Sequence, residues 1–398
     1  MKKINLSIIA LIVAFLPLVS SAQSCPALSG EYRIATDGGD FSTISQAITA
    51  MKCGGISGPV TFLLEDGKYN ERISLSQIKG SSPENIVKFE SLKGVTSNVV
   101  LASNTPDAEW TVGFLAATNV QFENLTIENK TGNTGNVVRI DGESKNIHFK
   151  NVTFDGSESK FTGANNAVIY STASMPKTDI VIEDCEINNG SVGIYKGGAE
   201  ESADIRTSII GTIFFSQYEA AINLNNETAP ILSNNVISTI SNFEGYKAIA
   251  LNKVNGNMII SNNVINAVYG NYGVYLKNCE GTASSYGNIS NNSINVGGQS
   301  TMFGIYLDGT TNNQVFNFNR VKLTPTNLSA SNQGYYKNNS QGANINLMNN
   351  IFFDLNSGGY TILGNTYKDY FNQLPSQSNP SLNVSANGIM IEKVMPAN

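Results

Sequence analysis

The stretch Ile260-Ser261-Asn262-Asn263-Val264-Ile265 decides the fold, because it is one copy of a phrase that recurs along most of the chain. Earlier copies read Phe122-Glu123-Asn124-Leu125-Thr126-Ile127, Phe149-Lys150-Asn151-Val152-Thr153-Phe154, Ile182-Glu183-Asp184-Cys185-Glu186-Ile187 and Leu232-Ser233-Asn234-Asn235-Val236-Ile237. A later one is Ile289-Ser290-Asn291-Asn292-Ser293-Ile294. Anchored on its last apolar residue, the phrase falls at Ile127, Phe154, Ile187, Phe214, Ile237, Ile265, Ile294, Val321 and Phe352. The intervals are 27, 33, 27, 23, 28, 29, 27 and 31 residues. Self-similarity at such a period marks a repeat architecture.

A second phrase follows each copy of the first: Ala167-Val168-Ile169-Tyr170, Val192-Gly193-Ile194-Tyr195, Ala220-Ala221-Ile222-Asn223, Lys247-Ala248-Ile249-Ala250, Tyr272-Gly273-Val274-Tyr275 and Phe303-Gly304-Ile305-Tyr306. Each unit thus holds at least two short strand-like runs separated by Asn, Gly and Ser turns. Units this short cannot bury an apolar face alone, so neighbours must stack around one shared core. Leucine-rich, ankyrin and propeller signatures are absent. The pattern predicts an all-β, single-stranded, right-handed parallel β-helix of nine or more coils. With equivalent strands about 4.8 Å apart, nine to twelve coils make a rod roughly 45–60 Å long.

Asparagine has a defined job at the corners of such a rod. It tolerates the left-handed backbone conformation that a tight corner uses, and its amide both donates and accepts. Asn151, Asn235, Asn263, Asn292 and Asn350 are therefore expected to stack as a structural ladder.

Charged residues make up 14 % of the chain, against roughly a quarter in ordinary soluble proteins. A formal charge of −6 offers no basic surface for a phosphate backbone, which argues against nucleic acid as a partner. Residues 1–22 read as a signal peptide: Lys2 and Lys3, an apolar run from Ile8 to Val19, then Ser20-Ser21-Ala22 before Gln23. That run is short for a transmembrane segment, so the protein is expected to be secreted or held at the outer cell surface. A rival reading makes Cys25 the lipid-modified first residue of a lipoprotein, for which Ala22 is a poor match. Export lets Cys25 and Cys53 bridge, closing a loop worth roughly 3 kcal/mol. Cys185 and Cys279 lie in different repeats and read as separate buried thiols. One histidine and no CxxC spacing leave no metal site or cofactor to expect.

The organisation expected is a cap and first coils over 23–119, repeats over 120–365, and a cap or tail over 366–398. Asp40 to Ile48 carries a helix start, with Thr43 and Gln46 spaced for a capping box. A helix there covers the open end of the solenoid.

The candidate binding site is an aromatic stripe. Within the second phrase the apolar residue points in and the next points out, so the outward set runs Arg139, Tyr170, Tyr195, Asn223, Ala250, Tyr275, Tyr306 and Tyr336. Tyr195 and the consecutive Tyr275, Tyr306 and Tyr336 offer flat rings and hydroxyls to a sugar or a protein. The plainer reading is that tyrosine fills outward strand positions well and stacks on itself. His148 falls on an outer face beside Lys150 and reads as a surface residue. The carboxylates Glu65-Asp66, Glu183-Asp184-Glu186 and Glu200-Glu201-Asp204 do not converge by spacing, since adjacent strand residues face opposite ways.

Gly39 to Ile48, followed by Asp66-Gly67-Lys68-Tyr69-Asn70-Glu71-Arg72-Ile73, resembles the opening of pectin methylesterases and related pectate-lyase-like β-helices. It is also similar to β-helix modules of secreted proteins of Bacteroidetes type. The esterase likeness runs to about Gly156 and implies the fold. It also implies two catalytic aspartates, glutamines for the oxyanion and an orienting arginine. Residue by residue those roles fall on Asn136, Glu158, Ser159 and Gly193, with no counterpart of the arginine. Neither Ser159 nor Gly193 supplies a carboxylate, which argues against that mechanism.

Two functions follow. The leading one is a non-catalytic exported β-helix that contacts glycan, attaches to a surface or acts as a scaffold, with polysaccharide as the partner. The rival is a pectate-lyase-like enzyme with a groove walled by the long turn Gly156 to Asn166, in which Asp184, Glu186 and Lys196 are the groups to consider.

Overall fold

The computed structural model describes residues 25–103, 105, 109–130, 134–158, 160–199, 201–326, 332–338, 344–354, 360–362, 367–370, 383–384 and 391–394. Each repeat forms one coil with three short strands, and the strand pairs between successive coils are parallel and in register, save for a shift between Leu28 and Gly30 in the first strand. The first half of the leading phrase builds an entry face, running from Ile56–Leu64 to Ile345–Met348 and beyond. The second half, after the Asn corner, builds a narrow face of eleven strands from Gly67–Asn70 to Ile351–Asp354. The second phrase builds a broad face from Ile73–Ser76 to Tyr360–Ile362. Eleven coils at about 4.8 Å give a rod roughly 53 Å long.

The core follows from strand alternation. The repeat anchors Ile127, Phe154, Ile187, Phe214, Ile237, Ile265, Ile294 and Val321 are one inward column of the narrow face, each hydrogen-bonded level with the next. All are buried. On the entry face Phe62, Phe89, Phe122 and Phe149 stack at 4.9, 5.0 and 5.8 Å between ring centroids. Each such side chain contributes roughly 1.5–3 kcal/mol by leaving water. Neighbouring coils supply the partners, so stability is shared along the rod.

The corner between entry and narrow faces uses two residues. The first adopts the left-handed conformation, with φ of 55° at Asn124, 49° at Asn151, 57° at Asn234, 56° at Asn262 and 56° at Asn291. The second points inward. There Asn235, Asn263, Asn292, Asn319 and Asn350 form a buried ladder in which each Oδ1 after the first accepts from the preceding Asn, as at Asn263 Nδ2 to Asn292 Oδ1 (2.9 Å) and Asn319 Nδ2 to Asn350 Oδ1 (2.9 Å), while Asn235 Oδ1 accepts from Thr212 N (2.9 Å). Each Nδ2 also donates to a backbone carbonyl of the coil before, such as Asn292 to Ile260 at 2.9 Å. Asn151 stands in the other column. It is exposed, donates to Asn124 Oδ1 at 2.7 Å, and leaves the inward position of its coil to Val152. Asn319 takes its place in the buried ladder.

The N-terminal end is closed by the helix Ile44–Gly54, whose Ile44, Ala47, Ile48 and Met51 face the core. Thr43 caps it by accepting from Gln46 N (3.1 Å). Glu71, on the first coil, accepts from the N–H groups of Ile44 (3.0 Å) and Ser45 (2.8 Å). A carboxylate at that end also meets the positive pole of the helix dipole. Cys25 and Cys53 are joined in a disulfide across 28 residues of sequence. Cys185 and Cys279 are free and buried. Among the described residues no helix is long and apolar enough to cross a membrane.

Candidate functional site

On the broad face the outward column reads Arg139, Tyr170, Tyr195, Asn223, Ala250, Tyr275, Tyr306 and Tyr336, each level with its neighbour. A second outward column, Lys247, Tyr272 and Phe303, runs beside it. Parallel in-register pairing makes both columns stack. Tyr275 and Tyr306 lie 5.2 Å apart at 8°, Tyr306 and Tyr336 5.1 Å apart at 25°, and Tyr272 and Phe303 5.3 Å apart at 18°. Between columns the rings meet edge to face, as Phe303 does with Tyr306 at 4.7 Å. The result is a half-exposed platform of five rings, two of which the single-column reading missed. The signal was present three residues upstream of Tyr275 and Tyr306, at Tyr272 and Phe303.

Polar groups edge this platform. Asp308 accepts from the Tyr275 hydroxyl (2.9 Å), Asn338 Nδ2 (3.1 Å) and Gly309 N (3.0 Å), with Lys277 Nζ at 3.4 Å. Burial pushes the Asp308 carboxyl up, but those hydrogen bonds outweigh it and hold the group below its ordinary value. Burial, then Asp308, raises the Tyr275 hydroxyl well above its ordinary value and pushes Tyr306 up to about 12. Both tyrosines are donors at physiological pH and Asp308 is an acceptor. None of the three is tuned to exchange a proton near neutrality. Lys247 lies 5.4 and 5.3 Å from the Tyr272 and Tyr275 rings.

The other end of the face carries a smaller group. Arg72 stacks 3.7 Å over the Trp110 ring, with Arg139 at 5.1 Å from it and 5.7 Å from Tyr170. Arg139 Nε donates to Asp141 at 2.9 Å, and Glu109 lies 3.5 Å from Arg72. Tyr195 continues from Tyr170 at 5.8 Å. Asn223 and Ala250 separate the two aromatic groups.

The long turn after Phe154 does wall a cavity, of about 520 Å³, where the narrow face turns into the broad one. Glu158, Lys160 and Phe161 form one wall, Tyr218 and Ile240 the other. The three groups considered for elimination chemistry are not there. Asp184 sits exposed at a left-handed corner and Glu186 points out of the narrow face. Lys196 points inward and is buried, with Asp204 at 2.5 Å and Glu227 at 2.8 Å. It is neither solvated surface nor accessible base. Asp204 in turn accepts from Lys177 N at 2.7 Å, and Glu227 from Thr207 N at 3.1 Å. This buried cluster replaces apolar packing at the corner between the broad and entry faces.

Two of the positions aligned with esterase catalysis serve the backbone instead, and Glu158 lines the cavity just described. Asn136 gives its amide to the carbonyls of Ala164 (3.2 Å) and Ala167 (2.7 Å). At Gly193 a Cβ would lie 2.6 Å from Ala221 O and 2.9 Å from Phe214 Cδ1, so no side chain fits. Ser159 lies outside the described residues. His148 is on the outer entry face, level with Gln121 and Val181 and 2.9 Å from Glu183.

No family model matches the chain, and no curated relative matches it by sequence. Among solved structures it is similar to the Dettilon tailspike protein, with TM-score 0.57 and 15 % identity over 90 % of this chain. The match spans 66 % of the tailspike's length. A GH136 lacto-N-biosidase from Eubacterium ramulus aligns at TM-score 0.48 and 11 % identity, over 92 % of this chain and 68 % of that one. A rice weevil pectin methyl esterase aligns at 0.43 and 14 %, over 64 % and 80 %. At such identities the likeness is one of fold, and the fold is a right-handed parallel β-helix.

Proposed function

We propose that the chain is a non-catalytic, exported β-helix that holds a polysaccharide against its broad face. The observation that carries this reading is the five-ring platform of Tyr272, Tyr275, Phe303, Tyr306 and Tyr336. Flat, half-exposed rings offer apolar area to the faces of sugar rings, while Asp308 and the tyrosine hydroxyls fix orientation by hydrogen bonds. Tyr275 and Tyr306 are held protonated and Asp308 ionised near neutrality, which suits two fixed donors and a fixed acceptor. The Cys25–Cys53 disulfide fits an oxidising exterior or periplasm, in line with the signal-like start of the sequence. The platform is one side of a long rod, as suits a linear ligand or a surface displaying one.

The test is retention of the mature protein on immobilised pectins, alginates, glycosaminoglycans and neutral glucans, compared with a Tyr275→Ala/Tyr306→Ala variant. Retention by at least one polysaccharide, weakened roughly tenfold or more in the variant, is expected. New reducing or unsaturated ends in the same incubations would replace this reading with the lyase one. Equal retention of both proteins would remove the platform as the site.

A further inference from the structure

Outside the broad face, the narrow face carries a contiguous apolar stripe. Over six consecutive coils its first outward position reads Glu186, Ile213, Val236, Val264, Ser293 and Arg320. Its second reads Asn188, Phe215, Ser238, Asn266, Asn295 and Lys322. Ile213 is 48 % exposed, Phe215 47 %, Val236 40 % and Val264 48 %. Single exposed apolar residues are ordinary. On stacked strands these four make one contiguous apolar group rather than scattered residues.

The charges around the stripe select the partner. Glu186 closes it at one end, Arg320 and Lys322 at the other, and all three are exposed. Glu186 and Arg320 share one column, each two and a half coils from the midpoint between Val236 and Val264. A two-fold axis lying in the plane of the face at that midpoint, perpendicular to the rod, turns a second copy antiparallel. It sets Val236 of one copy against Val264 of the other, and Glu186 against Arg320, twice over. The parallel arrangement instead sets Glu186 opposite Asn188 and Arg320 opposite Lys322 of the second copy, a like-charge pair with no opposite charge to balance it. We propose that the narrow face is an antiparallel homodimer interface centred between Val236 and Val264.

The contact is small. Six coils at about 4.8 Å and strands about 10 Å long give a flat footprint of roughly 300 Å² per copy, well under the about 800 Å² of a standard interface. A weak, reversible dimer is therefore expected, and it leaves the broad face free on both copies.

Sedimentation equilibrium on the full mature chain, from about 5 to 500 μM, is the test. A monomer–dimer equilibrium within that range is expected. Glu186→Arg or Arg320→Glu alone should weaken it tenfold or more, since each change sets two like-charge pairs face to face. The double variant, with both charges exchanged, should return to within about threefold of the parent. Melting curves for each variant check that the exposed substitutions leave the fold intact. A monomer throughout the range overturns the proposal, and so does a dimer that ignores both reversals or that the double exchange fails to restore. Val236→Asp gives a second arm: it must abolish the dimer, and a dimer that survives it lies elsewhere on the surface.

Discussion

Asn292 shows how much one buried amide does in this fold. Its Oδ1 accepts from Asn263 N (3.0 Å) and Asn263 Nδ2 (2.9 Å), and its Nδ2 donates to Ile260 O and Asn319 Oδ1 (2.9 Å each). Alanine there removes a bond from Asn263 N, Asn263 Nδ2 and Ile260 O, while Asn319 Oδ1 keeps its bond from the backbone N of residue 292 (3.1 Å), so Asn292→Ala is expected to lower stability by about 3 kcal/mol. Denaturant unfolding with hydrogen exchange in the flanking coils measures it; a loss under 1 kcal/mol would mean water replaces the amide. Phe318 sits at the left-handed corner between the entry and narrow faces with φ 56°, exposed, where the other copies of that corner from Asn124 to Asn349 hold Asn, Asp or Gly. That conformation strains a bulky side chain by roughly 1–2 kcal/mol, so Phe318→Asn should raise the melting temperature. Both positions also mark how far the sequence could be read. A double Asn identifies the corner, but a single one does not say which of the two columns it occupies, and Asn151 fell in the other one. Lys196 follows Tyr195 in a strand where Tyr195 points out, so alternation alone sets it inward. What the sequence did not display was the pair of carboxylates, Asp204 and Glu227, that meet it from other strands.

At the scale of elements, the cap is held by three separate ties: the disulfide, Thr43 and Glu71. Glu71→Ala removes the acceptor for two helix N–H groups and should destabilise the cap by about 1 kcal/mol, seen as faster amide exchange at Ile44 and Ser45. Uniform exchange throughout the rod would contradict it. Near the other end, Lys337 is an inward residue on a broad-face strand, level with Leu307. Burial lowers its amine from 10.5 to about 8. The unfolded chain then binds more protons than the folded one between these values, so stability rises with pH over about 8 to 10.5. The difference between the parent and Lys337→Met should narrow or reverse in the parent's favour by about 2 kcal/mol over pH 7 to 10. Comparing the two proteins cancels the tyrosines and buried thiols, which titrate in the opposite sense in the alkaline range. A pH-independent difference would place the amine in a wetter setting.

For the whole molecule, stacking makes every outward column a line of identical geometry with freely chosen chemistry. One face carries aromatic rings, another an apolar stripe with charged ends, and the corners carry amides that hold the coils together. The architecture was legible because the period and the strand alternation are local in sequence. The platform was half legible: one tyrosine column follows from alternation, while its depth comes from a second column and from Asp308, which meets Tyr275 from the next coil. The most direct test of the account is binding of the mature chain to a panel of acidic and neutral polysaccharides, with product analysis in the same tubes. Retention that falls roughly tenfold in Tyr275→Ala/Tyr306→Ala, with no new chain ends, is the result predicted. Retention unchanged by those substitutions, or polysaccharide shortened by the unmodified protein, would contradict it.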